Sequence, residues 1–146
     1  MSIRCVIIDD EPLARKGLCE YINETNFLSL QGEFDSPLKA ADLITSGTAQ
    51  LLFLDIEMPR ISGLDFFKTL MHPPPVIFTT AYPQYALEGF EVNALDYLVK
   101  PFSFDRFYKA SMKAKEFYEV RESNQQEEKG SDFFFIKADQ KLVKIF

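Results

Sequence analysis

The chain has 146 residues, and 47% of them are hydrophobic, including 15 phenylalanines. This length and composition suit one globular domain with a hydrophobic core and exclude a disordered chain. The formal net charge of −6 argues against a general nucleic-acid-binding surface, because binding of phosphate backbones needs a basic stripe.

The N-terminal residues and the hydropathy pattern favour a cytoplasmic protein. The first residues, MSIR, lead directly into strand-like sequence and show no signal peptide. No apolar run approaches the ~20 residues that a membrane-spanning helix needs. We therefore expect a cytoplasmic location and no membrane partner.

Strand-like and helix-like segments alternate along the chain. Five strands alternating with five helices predict an α/β protein, a doubly wound parallel sheet with helices on both faces. In chain order, the expected elements are a strand at 3–8, a helix at 12–24, a strand at 28–34, a helix at 37–46, a strand at 51–55, a helix at 62–71, a strand at 76–81, a short helix at 84–92, a strand at 95–100 and a long helix from about 104 to about 123.

Polar residues stand at the carboxyl ends of four predicted strands. Asp9 and Asp10 follow the first strand, Asp55 ends the third, Thr80 the fourth and Lys100 the fifth. Parallel sheets bind their ligands at this edge, where the carboxyl ends of the strands meet. The sequence therefore predicts that three carboxylates, a hydroxyl and an ammonium lie close together.

This set of groups points to phosphoryl chemistry with a divalent metal. Two adjacent acids after a buried strand repel each other, and a bound cation would offset that cost. Mg²⁺ prefers carboxylate, water and phosphate oxygens. Asp55 is then a candidate nucleophile that takes a phosphoryl group as an aspartyl phosphate. Mg²⁺, Lys100 and Thr80 would stabilise charge on the transferring group.

The motifs at these strand ends resemble a response-regulator receiver domain of two-component signalling. The resemblance extends over nearly all of residues 1–120 and implies a flavodoxin-like, five-stranded sheet with strand order 2-1-3-4-5. It rests on the sequences DDE at 9–11, DIEMPRISG at 55–63, TTA at 79–81 and DYLVKPF at 96–102.

The resemblance implies a role for each acid of the site. Asp55 is the expected phosphoacceptor. Asp10 and Asp55 are expected to bind Mg²⁺ directly, together with the backbone carbonyl of Glu57. Asp9 is expected to act mainly through metal-bound water.

The resemblance also implies roles for residues on the last two strands. Thr80 is expected to contact the phosphoryl group, and Lys100 to pair with it, positioned by a cis bond to Pro101. Tyr97 matches the aromatic switch residue, which turns inward when Thr80 moves.

The same resemblance implies the partners. A separate sensor histidine kinase, or a small acyl phosphate, is the expected phosphoryl donor. The chain would assist its own phosphorylation and dephosphorylation without being an enzyme in the ordinary sense. Phosphorylation is expected to promote a homodimer.

A finer resemblance is to receivers of the LytTR transcription-factor family, in which a receiver precedes a mostly β-stranded DNA-binding domain. It rests on FTTAYPQYALEGFEVNALDYLVKPF at 78–102 and on the strand-like tail. It implies a receiver domain at 1–120, a polar linker at 121–132 and the first part of the DNA-binding domain at 133–146. DNA would be bound only through parts of the protein that follow this chain.

Three alternatives to a receiver fit the sequence less well. An aspartate-based phosphatase of the haloacid dehalogenase kind needs a second acid two residues after its nucleophile. Glu57 has that spacing, but DIEMP continues differently and the pair Asp9-Asp10 suits a receiver better. A degenerate receiver is disfavoured because every site position is filled, and a flavodoxin-like cofactor binder lacks a phosphate loop after the first strand.

Overall fold

A computed structural model describes residues 2–85 and 92–131 of the chain. The elements follow the predicted alternation of strands and helices. They are β1 (Ile3–Ile8), α1 (Pro12–Asn23), β2 (Leu28–Phe34), α2 (Pro37–Thr45), β3 (Leu51–Asp55), α3 (Gly63–Lys68), β4 (Val76–Thr80), a 3₁₀ turn (Pro83–Tyr85), β5 (Asp96–Val99) and α4 (Phe104–Ser131).

The strands form one parallel sheet in the order β2-β1-β3-β4-β5. This order confirms the predicted flavodoxin-like topology. All strands point the same way, so their carboxyl ends lie at one edge. The register pairs Ile8 with Leu54 and Asp55 with Thr79, which places the ends of β1, β3 and β4 side by side.

Helices cover both faces of the sheet, as predicted. On one face, Val6 and Leu52 belong to a buried cluster that includes Ala40 of α2 and Phe67 of α3. On the other face, the ring of Phe53 stacks on that of Phe107 in α4, with centroids 5.3 Å apart. All five residues of β3 are buried, which explains why its sequence LLFLD is continuously apolar up to its final acid.

Two helix ends differ from the expectation. α3 ends at Lys68, not at residue 71, and the hydroxyl of Thr69 turns back to donate to the carbonyl of Phe66. The last helix runs to Ser131, so the expected end near residue 123 was too early. Its final segment is polar but rich in Glu, Gln and Lys, which are good helix formers, and polarity alone does not separate a linker from an exposed helix.

The expected linker at 121–132 is therefore helical as far as Ser131. Residues up to Ala114 form one compact unit, and Lys115 begins a second one. Within the second unit, Arg121 lies over the ring of Phe117 at 5.4 Å. The predicted helix at 84–92 falls largely on 86–91 and the predicted DNA-binding segment on 133–146, both outside the described residues.

A buried carboxylate ties β5 to α4. Asp96 accepts two hydrogen bonds from the guanidinium of Arg106, at 2.8 and 2.9 Å, and pairs with Lys113 at 3.2 Å. Arg106 also donates to the backbone carbonyl of Tyr97. Burial alone raises the pKa of Asp96, yet the hydrogen bonds from Arg106 and Lys113 outweigh it and hold the pKa below its usual value. This clamp fixes the backbone of β5 beside Tyr97.

Among the residues that the structure describes, none lies in a helix with both the length and the apolarity to cross a membrane.

Gly63 lets the loop after β3 pack against the end of that strand, because the backbone approaches Asp55 too closely for a side chain. This close approach can be tested by substitution. A Cβ at Gly63 would lie 2.1 Å from the backbone oxygen of Asp55, whereas one at Gly17 would meet nothing within 4 Å. We expect Gly63→Ala to destabilise the fold by about 2 kcal/mol or more. Gly17→Ala, in the middle of α1, should be neutral or stabilise by roughly 0.5–1 kcal/mol. Urea unfolding of both variants measures the difference, and equal midpoints would contradict it.

Candidate functional site

A fully buried acid, Asp9, lies directly after the end of β1 at the edge of the sheet. Asp9 follows Ile8 directly and is 0% exposed. Its Oδ1 accepts a hydrogen bond from the backbone N–H of Glu11 at 2.9 Å, and its Oδ2 lies 3.0 Å from the Lys100 ammonium. Asp10, the next residue, is only half-buried. The pair therefore splits into one buried and one more accessible carboxylate.

Asp55 is the last residue of β3 and is 2% exposed. Its Oδ1 lies 3.5 Å from the Lys100 ammonium, and the backbone N–H of Glu57 donates to the same oxygen at 3.3 Å. Burial raises the pKa of Asp55, and the nearby charge of Asp9 raises it further. Ionised Asp55 is consequently costly in the absence of a further cation.

The three acids converge as predicted. One carboxylate oxygen from each of Asp9, Asp10 and Asp55 lies within 4.8 Å of the others. When ionised, these three carboxylates carry more negative charge than the single Lys100 ammonium can balance. Clustered carboxylate oxygens with excess negative charge fit a hard divalent cation such as Mg²⁺. These residues therefore suit the expected metal.

Lys100 is the positive charge of the site. Its ammonium pairs with Asp9, Glu11 and Asp55 at 3.0, 3.4 and 3.5 Å. Burial by itself lowers the pKa of Lys100, but the charges of Asp55 and Asp9 outweigh it and leave the pKa raised. The backbone N–H of Lys100 donates to the carbonyl of Thr80, and its bond to Pro101 is cis, as expected. The side chain is thus charged and directed at the two buried acids.

Thr80 lies at the end of β4, where its hydroxyl contacts the carboxylate of Glu57. The hydroxyl donates to Oε2 of Glu57 at 2.5 Å, and the backbone N–H of Ala81 donates to Oε1 at 3.1 Å. The backbone N–H of Tyr82 donates to the Thr80 oxygen at 3.0 Å. The resemblance to receivers implies that Glu57 and Tyr82 lie near the phosphoryl group and that the Glu57 carbonyl binds the metal, but it does not predict these hydrogen bonds of the Glu57 side chain. The only sequence signal for them is that β3 and β4 are neighbouring strands that both end in polar residues.

Tyr97 belongs to the core beside the site and not to the acid cluster. Its side chain is half-buried, and its ring stacks on Phe78 with centroids 5.8 Å apart. Burial, with a smaller contribution from Asp96, raises the pKa of Tyr97 to about 12. The structure thus brings together Asp9, Asp10, Asp55 and Lys100, joins Thr80 to Glu57, and packs Tyr97 one strand away.

The fold and this edge define a class of protein: doubly wound α/β domains with an acid cluster beside a lysine and a threonine at the strand ends. A sequence profile described as the response regulator receiver domain matches residues 5–111. The chain belongs to this family, and it is a receiver domain of a two-component response regulator.

Relatives of known name agree with this assignment. The chain is 36% identical over 145 residues to the sensory transduction protein LytT of Bacillus subtilis, covering 97% of this chain and 60% of the relative. It is 39% identical over 109 residues to the transcriptional regulatory protein BtsR of Escherichia coli, covering 73% of this chain and 46% of BtsR. These two relatives confirm the finer resemblance to LytTR regulators. The chain spans about half the length of these relatives.

The solved structures agree with the fold. The receiver domain of AraT, a response regulator from Geobacillus stearothermophilus, superposes with a TM-score of 0.73 at 30% identity, covering 84% of this chain and 99% of that domain.

These relatives exclude the phosphatase alternative, since they are response regulators and not phosphatases of the haloacid dehalogenase kind. Glu57 has the spacing of the second acid in such an enzyme, and in this structure its carboxylate accepts hydrogen bonds from Thr80 and Ala81.

The raised pKa of Asp55 predicts a pH-dependent stability. Above about pH 4, Asp55 ionises in the unfolded chain, but in the folded chain it stays protonated until the pH approaches its raised pKa. The free energy of unfolding therefore falls as the pH rises through this range. Asp55→Asn removes this cost. Without metal, the free energy of unfolding of the variant should be higher than that of the parent by on the order of 2 kcal/mol near pH 8, and the two should become equal near pH 3.5.

Denaturant unfolding in EDTA across this pH range measures the gap. Asp105→Asn is the control: it removes an exposed acid from the first turn of α4, and it should destabilise the chain by up to about 1 kcal/mol and never exceed the stability of the parent. A gap that stays constant with pH, or widens toward acid, would show that burial of Asp55 is not its cause.

Proposed function

We propose that Asp55 accepts a phosphoryl group from a separate sensor histidine kinase or a small acyl phosphate. The observation that carries this proposal is the buried Asp55 carboxylate, 3.5 Å from the Lys100 ammonium and clustered with Asp9 and Asp10. A carboxylate held among these charges is an acceptor for phosphoryl transfer.

In the proposed reaction, an oxygen of Asp55 forms a bond to phosphorus while the bond from phosphorus to the donor breaks. The donor leaves with that electron pair, as acetate when acetyl phosphate is used. Lys100 balances negative charge at the acceptor, and the hydroxyl of Thr80 donates to a phosphoryl oxygen. These groups act by position and charge, which is the main source of catalysis in phosphoryl transfer.

The proposal includes Mg²⁺ at the acid cluster. Asp10, Asp55 and the backbone carbonyl of Glu57 would hold the ion, with Asp9 acting through water. When bound, Mg²⁺ neutralises charge on the transferring phosphoryl group. The protein itself contributes the burial of Asp9 and Asp55 and the position of the Lys100 ammonium, which pairs with both.

The proposed role is a phosphoacceptor and not an enzyme that turns over a substrate. The side chains that assist transfer belong to the same chain as the acceptor, so each molecule is modified once per cycle. A cytoplasmic location, where the kinase's catalytic part would meet the receiver, remains an expectation.

The proposed output is self-association and, in a longer protein, control of transcription. Thr80 and Tyr97 lie on β4 and β5, so movement of Thr80 toward a phosphoryl group could be matched by Tyr97. Packed cores switch between discrete arrangements, and the adjoining surface would change with them. In this proposal residues 1–120 are the receiver, 121–132 the connection and 133–146 the start of a DNA-binding domain of the LytTR type. DNA binding would reside beyond this chain.

Phosphorylation of Asp55 is directly testable by intact mass. Acetyl phosphate with Mg²⁺ should add one phosphoryl group to the parent and none to Asp55→Asn, because Asn offers no carboxylate. The exposed-acid control, Asp105→Asn, should be modified like the parent. An adduct on Asp55→Asn, or one that forms equally in EDTA, would refute the assignment.

Self-association is tested by sedimentation of the chain with Mg²⁺ and beryllofluoride, a phosphoryl mimic. We expect a higher mass with the mimic than without it, and no such change in Asp55→Asn, which lacks the oxygen that the mimic needs. An identical mass in both conditions would contradict a phosphorylation-promoted dimer of this chain.

A further inference from the structure

We propose that the side chain of Glu57 occupies two hydrogen-bond donors, the Thr80 hydroxyl and the Ala81 backbone N–H, that a phosphoryl group on Asp55 would use, and that it must leave them before the phosphoryl group can bind there. This inference rests on the proposed phosphorylation of Asp55 and adds a regulatory element to that site. The carboxylate would act as an internal competitor for the incoming anion.

The first argument is the geometry of the donors. The hydroxyl of Thr80 and the backbone N–H of Ala81 donate to the two oxygens of the same carboxylate, at 2.5 and 3.1 Å. The backbone N–H of Tyr82 donates to the Thr80 oxygen, and the Thr80 hydroxyl has two acceptors in reach, Oε2 of Glu57 at 2.5 Å and the carbonyl of Tyr82 at 3.3 Å, of which Glu57 is the nearer. The donors therefore converge on one anionic group, and hydrogen bonds to a charged acceptor are the stronger kind.

The second argument is where these donors lie. Asp55 pairs with Thr79 in the sheet, so Thr80 is one residue beyond the acceptor on the neighbouring strand. The backbone N–H of Ile56 donates to the carbonyl of Thr79 at 2.9 Å and fixes this register. An anion attached to Asp55 and one held by Thr80 would therefore meet in the same small region. The charge of Glu57 already acts on Asp55.

The third argument is that Glu57 has space to move into. Its side chain lines a cavity of about 560 Å³ together with Met58, Ser62, Asp65 and Tyr85. Glu57 itself is only half-buried. Rotation of its side chain toward this space would free both donors without moving the backbone of β3 or β4.

The test measures binding of beryllofluoride at saturating Mg²⁺ by calorimetry or ¹⁹F NMR. Glu57→Ala vacates the donors and should bind the mimic about five- to ten-fold more tightly than the parent. Glu57→Gln removes the charge but keeps an amide that can bond both donors, so its affinity should lie between the two. Asp65→Asn removes an exposed acid of the same cavity without touching the donors, and it should stay within about two-fold of the parent.

A second readout needs no anion. The amide proton of Ala81 should shift upfield in Glu57→Ala, because a charge-assisted hydrogen bond is lost. An unchanged Ala81 resonance, or equal affinities for the mimic in Glu57→Ala and the parent, would overturn the inference and leave the proposed phosphorylation intact. Equal tightening by Asp65→Asn would overturn it in favour of a general charge effect. Failure of all four proteins to bind the mimic would overturn the proposed function, and this inference with it.

Discussion

The candidate site is built around two buried carboxylates, Asp9 and Asp55, that share one ammonium at the edge of the sheet. Both side chains are almost fully buried, and Lys100 balances only part of their charge. The fold tolerates this because β1 and β3 are two of the three inner strands of the sheet, and the burial of their apolar residues stabilises the chain elsewhere. The site is thus locally destabilising, and a cation bound there would reduce the repulsion between the acids.

The carboxylates at the carboxyl edge of the sheet form two groups that contact different residues. On one side, Asp9, Asp10 and Asp55 face Lys100, which suits a metal and a nucleophile. On the other, the carboxylate of Glu57 is held by Thr80 and Ala81, which are donors. In the proposed function, a phosphoryl group on Asp55 would lie between these two sides, where the ammonium of Lys100 and the donors at Thr80 and Ala81 could bind its oxygens.

The positions of the main site residues followed from the sequence because they depend on strand direction alone. Once 3–8, 51–55, 76–81 and 95–100 are parallel strands, their ends meet at one edge. The side chain of Glu57 could not be placed this way, since it depends on how the loop from Asp55 to Gly63 folds, and that loop is set by a backbone approach that only glycine permits. The length of the last helix escaped prediction because a solvated helix and a linker share a polar composition. The roles of the site residues remain predictions from the family.

The clamp formed by Asp96 and Arg106 limits the kind of motion that Tyr97 can make. The residue before Tyr97 is bound on two oxygens, and the carbonyl of Tyr97 is itself bound by Arg106. Its main chain is therefore anchored to the first turns of α4, and only rotation about its side-chain torsions remains open. A rearrangement of this sort is a change of rotamer, and it leaves the pairing of β4 with β5 intact. If Tyr97 responds to phosphorylation as proposed, its ring turns against Phe78 while the backbone of β5 stays in place.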